Sequence, residues 1–152
     1  EQIELSIGIG STSRTFSTLH QSYMDAAQCI EVSQRLLGPG HVIHHDDISL
    51  YSVLDFVAER REARQMVEDV LGPIKAYDTI NNTDLMKTLE MLCLSGECSN
   101  EIAKKLYIHR NTLAYRQTRI KELLGFDPFT GQGRVRMNVV LMLDKLIEAS
   151  RQ

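Results

Sequence analysis

The chemistry-bearing residues of this chain are concentrated in one short run, residues 99–124, SNEIAKKLYIHRNTLAYRQTRIKELL. Lys104, Lys105, Arg110, Arg116, Arg119 and Lys121 stand there against only two acids, Glu101 and Glu122. Such side chains neutralise phosphates. Arg also donates paired hydrogen bonds to guanine O6 and N7, and Asn pairs in the same way with adenine. His109, Arg110, Asn111 and Thr112 stand in sequence at a helix start, followed by Tyr115, Arg116 and Arg119. At about 100° per residue, Thr112, Tyr115, Arg116 and Arg119 fall within a third of the helical circle, one contiguous face. The spacing assigns Arg110, Thr112, Tyr115 and Arg116 to base edges or adjoining phosphates, and Lys104, Lys105 and Arg119 to the phosphate backbone. A merely solvated basic helix is the competing reading, in which Asn111 serves only as a cap and Tyr115 packs on the preceding helix.

Positioning that face requires two short helices. Ser99 is placed to cap the first, which runs through Leu106 with Ile102 and Leu106 one turn apart and the small Ala103 at the close approach. Tyr107 to Arg110 make the turn. Asn111 starts the second helix, whose Leu113, Ile120 and Leu124 line the inner side. This is the grammar of a helix-turn-helix, with Tyr107 where the generic pattern often has Gly. The charge distribution points the same way. Residues 1–98 carry a net charge of −8, residues 99–124 carry +4 and the remainder +1, within a total of −3. A local cation density is what phosphate binding needs, so a mildly acidic chain is compatible with nucleic acid.

The rest of the chain bounds the fold. At 152 residues, with 43% hydrophobic and 24% charged residues, it has the size and composition of one globular domain, or one domain plus a fragment. That excludes a large multi-domain enzyme. The start at Glu1, without Met and without a signal-peptide pattern, reads as a piece of a longer cytoplasmic polypeptide. Cys29, Cys93 and Cys98 match no zinc spacing and are expected to be reduced thiols; His41, His44 and His45 are expected on a solvated hairpin edge. Ile3 to Ile9 alternate as a strand. A long helix from Phe16 to Leu37 follows, with Leu19, Tyr23, Ala26 or Ala27, Ile30 and Leu37 as its stripe, then a strandlet at Val42 to His44. Those strands need sheet partners, from an upstream region or from a second copy. Beyond Asp47 the pattern is helical: Gly72-Pro73 is expected to end or kink one helix, and Asn81 to Asp84 to cap the next, which ends near Gly96. The last helix, roughly Arg134 to Ala149, is apolar around most of its circumference, so the core or a partner subunit must cover it. The fold class expected is therefore mainly α: a C-terminal helical bundle with a helix-turn-helix, preceded by a partial α+β segment of strand, long helix and short strand.

The run from Asp84 to Asp127, with its core HRNTLAYRQTRIKELLGFD, resembles the C-terminal helix-turn-helix of the PucR/CdaR family of bacterial transcriptional regulators. DLMKTLEMLCLSGECSNEIAKKLYI resembles that family's lead-in helix and first motif helix, and the helix after Arg134 its closing helix. SIGIG with the helix to Leu37 resembles the end of the degenerate, cyclase-like GGDEF domain common upstream. The resemblance implies domains at 1–46, the tail of that α/β domain, and 47–152, the DNA-binding part. It implies His109, Arg110, Asn111, Thr112, Tyr115, Arg116 and Arg119 as the DNA-binding motif, with Gln117 where the family usually has an apolar residue and Cys98 where it often has Asn. It further implies a regulator of a sugar diacid, purine or polyketide synthase operon, answering to a small-molecule effector through an upstream region absent from this sequence.

No nucleophile elbow, GGDEF-type metal site or phosphate-cradling glycine loop is present, and Gly8-x-Gly10 is too short to be one, so no catalysis, cofactor or metal is expected. The expected partner is double-stranded DNA, bound by a homodimer presenting two motifs to half-sites about 34 Å apart; no membrane association is expected. The alternative is a helical protein-protein interaction or dimerisation module without DNA binding. Salt separates the two, since phosphate binding weakens steeply with ionic strength and apolar association does not.

Overall fold

A computed structural model describes residues 4–150, and the fold is mainly α. In chain order the elements are β1 (Ile7–Ile9), α1 (Phe16–Leu37), β2 (Val42–His44), α2 (His45–Ala58), α3 (Arg61–Asn81), α4 (Leu85–Leu94), α5 (Ser99–Lys105), α6 (Arg110–Leu124) and α7 (Gly131–Ala149). The described residues divide into two compact units, residues 4–64 with 142–150, and residues 65–141.

In the first unit, β1 and β2 pair in parallel, Ile7 opposite Val42 and Ile9 opposite His44, with α1 as the crossover. The two strands thus pair with each other within the chain. β1 is shorter than the alternation suggests, and Ile3 lies outside the described residues. Gly8 and Gly10 decide how α1 lies on β1. A Cβ on Gly8 would stand 2.1 Å from the Ala26 carbonyl oxygen, and one on Gly10 would stand 1.9 Å from that of Ser22. Only bare backbone fits there. The helix therefore turns in Ser22, Asp25, Cys29, Val32 and Ser33, while Leu19, Tyr23 and Leu37, expected on its inner stripe, are exposed. The close approach selects small residues over the most hydrophobic ones. Asp25 is buried and accepts from Ser11 Oγ and from Gln21 Nε2 at 2.8 Å, and the Ser11 bond is the largest influence holding its carboxyl below the usual range. The expected hairpin at His41 to His45 is absent because β2 runs straight into α2. His44 Nδ1 caps that helix, accepting from the Asp46 N–H at 3.2 Å.

The second unit begins within α3, which buries Val67, Val70, Leu71 and Ile74. Of the two expected outcomes, an end or a kink, Gly72-Pro73 does not end this helix, which continues through them. Pro73 and Asp69, four residues before it, are both exposed, so the carbonyl left without a donor faces water. The cap of α4 also comes from an unexpected place. Asp78, near the end of α3, accepts from the N–H groups of Leu85 at 2.8 Å and Met86 at 2.9 Å, and from Thr83 Oγ1 at 2.5 Å. Asp84, the N-cap by position, makes no side-chain capping bond. α7 starts at Gly131, earlier than expected, and a Cβ on Gly133 would stand 1.9 Å from the Asp127 carbonyl oxygen. Met137, Val140, Leu141, Leu143, Leu146 and Ile147 of α7 are buried, so the chain itself covers most of that apolar circumference. Among the described residues no helix is long and apolar enough to cross a membrane, and no group of three His, Cys, Asp or Glu is placed to hold a metal. All three cysteines are free thiols. Cys93, buried and donating weakly to the Pro128 carbonyl, is pushed up to about 11 by its burial.

Candidate nucleic-acid interface

The site is built on α4, α5 and α6, which pack on one another. Ile102, Ala103 and Leu113 form its core, with Met91, Leu92, Leu106 and Ile108 packed around them. Ala103 and Leu113, one from each motif helix, share this core. The entry differs from expectation by one residue: Cys98, not Ser99, is the N-cap of α5, because Glu101 three residues on reaches back to the Cys98 N–H at 3.4 Å. The start of α6 also shifts. His109 is its N-cap, its Nδ1 accepting from the Asn111 N–H at 3.2 Å, so Arg110 is the first helical residue. Asn111 is thereby released from capping, and its side chain is exposed. Gly125, at φ 70°, closes α6 by donating to the Lys121 carbonyl at 2.9 Å.

The face expected to be continuous is split in two. Arg110, Asn111 and Thr112 are exposed, and Tyr115 is 62% exposed. Lys104 of α5 is exposed as well. Neither Lys104 nor Arg110 has an ion-pair partner among the described residues. Lys105 is exposed too, but its ammonium is held by Glu97. Arg116 behaves differently. Its side chain is only 16% exposed, and its guanidinium turns onto α4, donating to Thr88 Oγ1 at 2.9 Å and lying 3.8 Å from the Asp84 carboxylate. Thr88 is fully buried and donates in turn to the Asp84 carbonyl at 2.8 Å. Burying that hydroxyl on α4 leaves an acceptor facing α6, and Arg116 fills it. Arg116 was expected to point outward; it ties the second motif helix to the lead-in helix instead.

Arg119 is likewise occupied. Its guanidinium lies 4.6 Å from the centroid of the Tyr77 ring, contributed by α3, and donates to Glu122 Oε2 at 2.7 Å. Tyr77 is a residue that sequence reasoning missed, since nothing local to residues 99–124 reports it. The neighbouring Tyr77 hydroxyl is the largest influence raising the Tyr115 phenol above its ordinary value. Lys121 pairs with Asp127 at 2.6 Å, and that bond, with the Phe129 N–H, holds the Asp127 carboxyl below the usual range. The outcome is a second half of α6 tied to neighbouring side chains, with the first turn and a half of the helix exposed.

Residues 85–143 match the model of the PucR C-terminal helix-turn-helix domain. This segment is a PucR-type helix-turn-helix domain. The match takes in α4, α5, α6 and the first part of α7, so the Arg116–Thr88 tie and the exposed start of α6 both lie inside the PucR-type domain. Similarity extends beyond it. The chain is 30% identical over 141 residues to the proline-responsive transcriptional activator PutR of Bacillus subtilis (strain 168), covering 91% of this chain and 34% of that protein. It is 26% identical over 125 residues to the DNA-binding transcriptional activator AdeR of the same organism, covering 82% and 30%. To the carbohydrate diacid regulator of Escherichia coli (strain K12) it is 28% identical over 144 residues, covering 95% and 37%. The chain thus spans about a third of the length of these relatives.

Proposed function

We propose that this chain is the DNA-binding output end of a sequence-specific transcriptional regulator of the PucR/CdaR type. The observation that carries this reading is the exposed start of α6, where Arg110, Asn111, Thr112 and Tyr115 project from a helix whose other side is fixed by Leu113, Ile120 and Arg116. An α-helix enters the major groove, and its N-terminal residues reach the base edges. In this proposal Arg110, Asn111 and Thr112 read bases or adjoining phosphates, and Tyr115 reaches sugar or phosphate. Lys104 contacts the backbone, Lys105 joins it on release from Glu97, and His109 holds the helix start. Arg116 and Arg119 act as positioning residues, orienting α6 from behind.

The partner is double-stranded DNA, bound as a homodimer, because one motif offers a small contact area and two motifs specify a pair of half-sites. The protein has no enzymatic activity of its own in this reading. The names of the relatives support a regulator of a catabolic or biosynthetic operon that responds to a small molecule. The parallel β1–α1–β2 segment supports the reading of residues 1–46 as the tail of a degenerate cyclase-like domain. Selection of random duplexes by the purified protein at two salt concentrations tests the proposal. A recurring sequence with two spaced half-sites, bound more weakly at the higher salt, is expected. Retention of no duplex at either salt would leave the purely protein-binding module as the reading.

A further inference from the structure

Tyr107 lies in the turn between α5 and α6 and is 94% exposed. Its backbone adopts φ 55°, in the left-handed region that favours glycine. The reason is the way α5 ends. The Tyr107 N–H donates to the Lys104 carbonyl at 3.0 Å, and the Ile108 N–H donates to that of Ala103 at 3.0 Å. With Leu106 as C-cap, this pair of bonds is the Schellman arrangement, in which the residue after the cap must turn left-handed. Ile108 then packs back on the core of Ile102, Ala103 and Leu113, completing the stop signal. Nothing in this local design uses a tyrosine side chain. A glycine would adopt the same backbone without a steric penalty, and the ring buries almost no surface in return.

The position of Tyr107 in the chain is specific. It stands in the turn that leads into α6, in sequence between Lys104 and Arg110, which have no ion-pair partner among the described residues, and two residues before the His109 cap. From the geometry we infer that Tyr107 is a further DNA-contacting residue, its phenolic hydroxyl donating a hydrogen bond to a phosphate oxygen of the duplex. The inference rests on the DNA-binding reading of α6 and adds to it a contact from the turn. A phenol is neutral, so this bond positions the motif without releasing a counterion. That separates Tyr107 from Lys104, which neutralises a phosphate and releases one.

The test is a titration of the whole chain with two probes: a mixed-sequence duplex, and a duplex selected by the wild-type protein. Tyr107→Phe should bind both more weakly by roughly three- to tenfold, the loss of one neutral hydrogen bond, with an unchanged slope of log affinity against log salt. Tyr107→Gly should lose at least as much affinity while its melting temperature stays level or rises. Three results would overturn the assignment: wild-type affinity in Tyr107→Phe, a loss confined to the selected duplex, or a lowered melting temperature in Tyr107→Gly. Failure of the wild-type protein to bind either duplex would instead strike at the DNA-binding reading itself, and the contact would fall with it.

Discussion

The two halves of α6 carry similar residues in opposite surroundings. In the first half, Arg110, Asn111 and Thr112 stand in solvent, and Tyr115 is mostly exposed beside Tyr77. In the second, Arg116, Arg119 and Lys121 are each engaged by the protein: Arg116 by Thr88 and Asp84, Arg119 by Tyr77 and Glu122, Lys121 by Asp127. Charge alone does not separate a reading residue from a mounting one. What separates them is whether the protein already supplies an acceptor. A guanidinium held by a buried hydroxyl must break that bond before it can donate to DNA, and leaving Thr88 unsatisfied carries a desolvation penalty of its own. A helix that reads base edges with its N-terminal end also needs its remainder held still, because a tilt displaces every contact at once.

Substitutions sharpen this contrast, beginning with the largest expected effect. Arg110→Ala should weaken binding to a selected duplex by about five- to 160-fold, corresponding to about 1–3 kcal/mol for a paired contact, and relax the preference at one base pair. Its melting temperature should match the wild type, as followed by circular dichroism. Arg116→Ala should do the reverse. Its principal effect is a loss of about 1–2 kcal/mol of folding stability in denaturant titrations, from the orphaned Thr88 and Asp84 acceptors. Its affinity should fall evenly across sequences, and a sequence-selective loss would return Arg116 to the reading half. Tyr77→Leu should cost about 0.5–1 kcal/mol of stability through the lost Arg119 stacking. It should also let the Tyr115 phenol titrate closer to its ordinary value, which absorbance at alkaline pH can follow. Lys104→Ala should have the smallest effect, lowering affinity for all duplexes alike and reducing the salt slope by about one.

The motif was legible in the sequence because its determinants are local. The spacing of Ile102, Leu106, Leu113 and Ile120, and the basic island around them, lie within one short run. The direction of Arg116 was not, because a helical wheel gives an angle and no neighbour, and Thr88 lies 28 residues away. The same holds for Asp78, which caps α4 from the preceding helix, and for Tyr77, which reaches α6 from α3. In α1 the hydrophobic stripe misled for a different reason. Gly8 and Gly10 bring strand and helix so close that Ser22 and Ala26 must face β1, and larger residues are displaced to the outside. Pro73 reads as an end or a kink, and its exposed position lets the helix run on past it with its freed carbonyl in water.

The central claim is that the first half of α6 meets the duplex while the second half holds it in place. Backbone amide shifts of the labelled protein, followed during titration with a selected duplex, test this most directly. The account predicts that the largest changes fall on residues 104–115, with small ones from Arg116 to Leu124. Large changes over that second half, with Arg110 to Tyr115 undisturbed, would contradict it.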